Sequence, residues 1–320
     1  MELRGHTTMK QDSVRKILFM LLLVACFLPQ VGTATALIGG ILFSLVLGNP
    51  WPRLTAAWSK KLLQVSVVGL GFGLSLATVV QVGAHSAVYT IVGIAATLAA
   101  GWALGRVVGT TPAQSLLISF GTAICGGSAI AAMAPVLRAE DDEVAVSLAT
   151  VFTLNAVALL LFPLLGHLLG LSQQQFGLWA GLAIHDTSSV VGAAAVFGTT
   201  ALAVGTTVKL TRALWIMPCV LMVSMVKRSE QRAPFPLFIV GFMAAAAAHT
   251  LLPPLEPVWS SLALAARQSL VATLFLIGAG LSREVLGRVG VRPLLQGLLL
   301  WMAVSGLTAV AILFGVIAPP

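Results

Sequence analysis

Gly181–Arg212 reads GLAIHDTSSVVGAAAVFGTTALAVGTTVKLTR. One apolar span carries His185, Asp186, Thr187, Ser188 and Ser189 near its middle, and the next carries Lys209 and Arg212. Charged residues make up only 9% of the chain, so these groups stand out. An ionisable side chain at membrane depth costs at least about 2.5 kcal/mol on insertion scales, so it is paired, water-facing or functional. Two readings follow. Asp186 can pair with Lys209 or Arg212 simply to hold two helices together, or the groups can line a polar site.

The surroundings of this stretch identify the solvent as a bilayer. Apolar residues make up 58% of the chain, and the mean hydropathy is +1.01. A soluble domain of this length has no use for so much apolar surface. Residues 1–16 are polar and carry Arg4, Lys10, Arg15 and Lys16; Ile17–Leu28 is apolar. No small-residue cleavage site separates this segment from the next apolar run near Ala34, so it reads as a retained first helix and not a signal peptide. Further spans are expected at 34–48, 61–82, 86–106, 112–135, 143–168, 174–197, 201–225, 235–253, 262–282 and 292–316. With the first, these make about eleven transmembrane helices in an all-α polytopic membrane protein.

Loop charge orients the chain. Lys and Arg precede the first span and recur at Arg53, Lys60 and Lys61, at Arg106, at Lys227, Arg228 and Arg232, and at Arg283, Arg288 and Arg292. With eleven spans all of these share one side, which places the N-terminus in the cytoplasm and the C-terminus outside. Arg138, beside Glu140–Glu143, then falls on the opposite side, as does Arg267. Short basic loops account for the net charge of +8, and no nucleic-acid partner is expected. Cys26, Cys125 and Cys219 lie in apolar spans without paired spacing and read as reduced thiols. No metal set, cofactor motif or catalytic constellation is present, and no enzyme activity is expected. His185, Asp186 and Ser188 have the residue types of a triad but sit too close together on one helix to act as one.

Two polar stretches carry the candidate chemistry. Thr122, Cys125, Gly126, Gly127 and Ser128 lie inside one span. Adjacent glycines weaken a helix by about 1 kcal/mol each, and a break here would expose backbone groups to a ligand, as in many secondary transporters. Tight helix packing is the other use of such small residues. In the second stretch, Lys209 and Arg212 share one helix face, and together with Asp186 they leave one excess positive charge. Beside the hydroxyls of Ser188 and Ser189 this suits a small oxyanion, with arginine offering a planar fork. His185 and Asp186 could instead carry a coupling proton.

Internal echoes add Asn155 to the candidates. Gly71–Ser75 (GFGLS), then Val82-Gly83, recurs as Gly278–Ser282 (GAGLS), then Val289-Gly290. These spans run in opposite directions, as an inverted repeat requires. A second echo sets Gly121–Ser128 (GTAICGGS) against Gly181–Ser188 (GLAIHDTS), and Thr150-Val151 with Asn155-Ala156 against Thr207-Val208 with Arg212-Ala213. Those spans are two apart and would run parallel, so the echoes do not fit one simple scheme.

TAICGGSAIAA (Thr122–Ala132), EVAV (Glu143–Val146), FGLWAGLAIH (Phe176–His185) and VKLTR (Val208–Arg212) together resemble the UPF0324 family of bacterial inner-membrane proteins, also called the YeiH-like or sulfate-exporter family. The resemblance runs from about residue 34 to 316. It implies kinship with the bile-acid symporter and cation/proton antiporter superfamily. The implied fold is two inverted five-helix bundles, 34–168 and 169–320, with broken helices crossing at the midplane, after an extra first helix in 17–33. By this resemblance the expected activity is secondary transport of sulfate or a related oxyanion or organosulfur compound, coupled to a proton or sodium gradient. A homo-oligomer in the bilayer is compatible with the pattern. A non-transporting ligand sensor or partner subunit is the alternative.

Overall fold

The computed structural model describes residues 2–28, 30–227, 237–280 and 290–318. Arg228, Arg232, Arg283 and Arg288, together with Ser282 and Val289 of the first echo, lie outside the described residues. Among the described residues every regular element is helical. Five stretches of the described residues are long and apolar enough to cross a membrane: Leu76–Val108, Asp141–Leu168, Thr199–Met225, Pro253–Gly280 and Val291–Leu313. Shorter apolar helices accompany them. The chain divides into two compact units.

The first unit comprises Met1–Ser75 and Val240–Glu284. It contains α1 (Glu2–Ala25), α2 (Thr33–Leu47), α3 (Pro52–Gly71), most of α12 (Leu237–Leu251) and α13 (Glu256–Gly280). Helix α1 extends back through the polar segment, where Asp12 is bound by Arg15 at 2.6 Å and Lys16 at 2.5 Å. The hydrogen bond from Lys16 leads in holding the Asp12 carboxyl below its usual range. Helix α13 packs along both α2 and α3. A Cβ added at Gly40 would lie 2.2 Å from the carbonyl oxygen of Phe275, so α2 and α13 touch backbone to backbone. Phe19, Phe43 and Phe275 fill the adjoining core with edge and tilted ring contacts.

Helix α3 departs from expectation. Pro52 starts it and Gly71 ends it, so Lys60 and Lys61 lie within a helix and not in a loop. The chain then breaks at residues 72–75 and runs unbroken through 82–86, where a loop was expected, as α4 (Leu76–Val108). The GFGLS echo is therefore the break itself. Proline fits the first turn of a helix, and clustered glycines favour its end.

The second unit, Leu76–Ile239 with Val285–Pro320, holds the two polar stretches. After α4 come α5 (Pro112–Ala123), α6 (Gly127–Leu137), α7 (Asp141–Leu168), α8 (Gln173–Ala183), α9 (Thr187–Phe197), α10 (Thr199–Leu214) and α11 (Ile216–Lys227); α14 (Val291–Leu313) completes it. The stretches 112–135 and 174–197 were each expected to cross as one span, the first with a break at Gly126 and Gly127. Both turn back instead. Phe176, at the start of α8, stacks on Phe197, at the end of α9, with ring centroids 3.8 Å apart. The Thr200 amide donates to Gln173 Oε1 at 2.9 Å, closing the base of this hairpin. In the first hairpin, Thr111 before α5 donates to Glu143 in the first turn of α7, so α6 must return to where α5 began. A straight helix over 112–137 would end about 39 Å away at 1.5 Å per residue, too far for the six residues from Arg138 to Glu143 to span.

Local chemistry supports both hairpins. Thr111 caps α5 by accepting from the Gln114 amide at 3.2 Å, with Pro112 at its first position. Ser172 and Gln175 form a reciprocal capping box at the start of α8. At the first tip Gly126 adopts φ +65°, a conformation that side chains with a Cβ rarely adopt. At the second tip Asp186 caps α9. Each hairpin is thus two half-helices of 11 or 12 residues.

Candidate functional site

The hairpins enter the second unit from opposite ends, and their tips meet. A Cβ added at Gly126 would lie 3.0 Å from the Cβ of Asp186. Helix α7 runs from the base of the first hairpin to the base of the second, passing Thr111 through Glu143 and Phe197 through His167. Helix α10 runs beside α8 in the same direction: Thr200 binds Gln173 at one end and Lys209 binds Ile184 at the other. Helix α14 spans both hairpins. Its Gln296 donates to Ser115 Oγ at 2.9 Å, and its Ser305 carbonyl accepts from Trp179 at 3.0 Å.

This framework delivers the two cations to the tips. Arg212 donates through Nε to the Ala123 carbonyl and through Nη1 to the Leu182 carbonyl. One guanidinium thus joins the last turn of α5 to the last turn of α8. Lys209 Nζ donates to the Ile184 carbonyl at 2.6 Å. Lys209 is 0% exposed and Arg212 1%, so neither reaches water and Lys209 does not snorkel. Among the described residues, Asp12 pairs with Arg15 and Lys16, and His249 Nε2 lies 3.1 Å from Glu256; no carboxylate pairs with Lys209 or Arg212. Of the two readings, the clasp between Asp186 and these cations is absent among the described residues, and Lys209 and Arg212 are buried while Asp186 is half-buried.

Asp186 is instead engaged locally. Its Oδ1 accepts from the Ser189 amide at 3.0 Å and its Oδ2 from the Ser188 hydroxyl. A carboxylate at an N-cap satisfies orphan amides and the positive end of the helix dipole. The opposite half-helix, α6, has Gly126 at its N-cap, which offers no side chain. The tips therefore gather two cations, one carboxylate, two carbonyl ends and two amide ends, each helix end carrying about half a unit charge. The carbonyl and amide ends cancel, which leaves one net positive charge.

The other candidates divide clearly. Thr122, Cys125, Gly126, Asn155, His185 and Ser189 are buried; Gly127, Asp186 and Ser188 are half-buried; Ser128 is exposed. His185 Nδ1 lies 3.2 Å from Asn155 Oδ1. That oxygen can only accept, so a hydrogen bond between them requires the tautomer with the proton on Nδ1. Thr122 Oγ1, Asn155 Nδ2, His185 Nε2 and Arg212 Nη2 are buried without a hydrogen-bond partner among the described residues. So is the indole nitrogen of Trp301, whose ring centroid lies 6.3 Å from that of His185. Nothing drew Trp301 from the sequence, because tryptophan in an apolar span reads as bulk. Its place near the middle of α14, away from the span ends that tryptophan favours, was the available signal.

The family profile described as Conserved hypothetical protein 698 matches residues 16–297. A UPF0324 membrane protein of Geobacter sulfurreducens is 61% identical over 304 residues, covering 95% of this chain and 98% of that protein. The chain belongs to the UPF0324 family of membrane proteins. A UPF0324 membrane protein of Bdellovibrio bacteriovorus is 48% identical over 96% of this chain and 97% of its own length. A UPF0324 membrane protein of Porphyromonas gingivalis is 51% identical over 84% and 83%. No solved structure matches the chain. UPF0324 membership and the apolar helices together make this a multi-pass membrane protein.

Proposed function

We propose that this UPF0324 protein is a secondary transporter of a small anion, a sulfate-like oxyanion or related organosulfur compound, in the bacterial inner membrane. The observation that carries the reading is the pair of buried cations, without a carboxylate partner among the described residues, at the meeting tips of two opposed half-helix hairpins. An anion would neutralise the excess charge, and Arg212 Nη2 retains a donor for it. Interrupted helices that place their ends around a central site are a recurring transporter device.

The same reading revises the topology. Among the described residues, nine crossings (α1, α2, α3, α4, α7, α10 with α11, α12, α13 and α14) accompany two hairpins that do not cross. The N-terminus remains cytoplasmic and the C-terminus external. Arg138 now joins the other loop cations on the cytoplasmic side, which strengthens the charge asymmetry. Both echoes then fit one inverted repeat. The repeat over 34–168 orders its elements α2, α3, α4, hairpin, α7. The repeat over 169–320 carries the counterparts as hairpin and α10–α11 first, then α12, α13 and α14. Each counterpart pair runs antiparallel once the hairpins turn back.

Counterflow in proteoliposomes tests the function. Vesicles loaded with sulfate, sulfite, thiosulfate or a short sulfonate should take up the same radiolabelled anion faster than protein-free vesicles. Saturable binding without counterflow would favour the ligand-sensor alternative and end the transport reading.

A further inference from the structure

We propose that Arg212, with Lys209, occupies the carbonyl ends where a transporter of this kind would hold a coupling sodium ion, so that anion movement is independent of sodium. The inference rests on the transport reading above and specifies its coupling. In transporters with interrupted helices, the C-terminal ends of half-helices and the adjoining unwound carbonyls coordinate the coupling cation. Those ends carry partial negative charge and carbonyl lone pairs. Here the carbonyls in question are Ala123 at the end of α5 and Leu182 and Ile184 at the end of α8.

All three carbonyls are already bonded to cations belonging to the chain. Ala123 and Leu182 accept from one guanidinium, and Ile184 accepts from the ammonium of Lys209 at 2.6 Å. Both side chains are buried and neither has an acidic partner among the described residues. A guanidinium does not lose its proton in a protein, so this charge is permanent. A sodium ion about 4 Å from it would meet a repulsion that weakens binding roughly a thousandfold at an effective dielectric near 20. The tethered cation thus does two jobs of a bound sodium ion: it neutralises both carbonyl ends and joins the hairpins. It cannot dissociate, so it cannot carry a sodium gradient into the cycle. Coupling then falls to a proton or to anion exchange.

The test uses the purified full-length protein and two readouts. Thermal unfolding of the wild type should give the same midpoint in sodium chloride and in choline chloride at equal ionic strength. Sulfate counterflow should likewise be equal in the two salts. Arg212→Ala should unfold at a lower temperature and regain stability with sodium or millimolar guanidinium, but not with choline. A sodium-specific stabilisation of the wild type would overturn the proposal. So would an Arg212→Ala protein that folds but responds to neither small cation. Should Arg212→Ala fail to fold, the wild-type comparison decides alone. Absence of counterflow with every anion would instead remove the transport reading, while the unfolding data still report whether the carbonyl ends are filled.

Discussion

Arg212→Lys is expected to lower anion counterflow at least tenfold and to destabilise the protein by about 2 kcal/mol, despite keeping the charge. The geometry leaves little room for a milder outcome. Arg212 serves Ala123 and Leu182 from two different nitrogens of one rigid plane. A lysine offers a single point charge on a flexible stem and cannot hold both carbonyls in the same way. A buried carbonyl left without a donor costs about 1–3 kcal/mol. The third guanidinium nitrogen, Nη2, is the donor still available to a ligand, and lysine removes it. Midpoints from thermal unfolding, read beside counterflow, check both parts. Wild-type values in both would show that the guanidinium joins nothing that matters.

Gly126→Ala is expected to destabilise the first hairpin by about 2 kcal/mol and to reduce transport with it. Gly126 holds φ +65° and ψ −128°, a region that essentially only glycine enters. The new methyl would also lie 3.0 Å from the Cβ of Asp186, at the contact between the tips. Gly93→Ala is the control. It lies inside α4, where an added Cβ would meet no described atom within 4 Å beyond its own helix backbone, and alanine is the better helix former by about 1 kcal/mol. Equal effects of the two substitutions on the unfolding midpoint would remove the special role given to Gly126.

Much of this architecture was legible in composition and pattern. Apolar runs of the right length identify a helical membrane protein, and paired glycines mark the break at Gly126 and Gly127. What could not be read is whether the chain continues beyond such a break. Two half-helices and one crossing helix need the same length and the same apolar content. The difference lies in tertiary contacts such as Phe176 with Phe197 and Thr111 with Glu143, which no local pattern encodes. The bonding of Asp186 was not legible for a related reason. Charge counting favours Lys209 or Arg212, but the nearest unsatisfied donor is the Ser189 amide three residues on, and the local bond prevails. The cations found backbone carbonyls instead, because the ends of half-helices present several unpaired ones. That supply exists only when the hairpins turn back.

The central claim is that residues 112–137 and 173–197 each leave the membrane on the side they entered. Single cysteines test it directly. The native Cys26, Cys125 and Cys219 are buried and can be replaced by alanine, while Thr111, Arg138, Ser172 and Thr199 are exposed at the hairpin bases. A membrane-impermeant maleimide applied to spheroplasts should label Ser172→Cys and Thr199→Cys. Thr111→Cys and Arg138→Cys should react only in inside-out vesicles. Labelling of Ser172→Cys and Thr199→Cys from opposite faces would mean that the second stretch crosses, and would contradict the account.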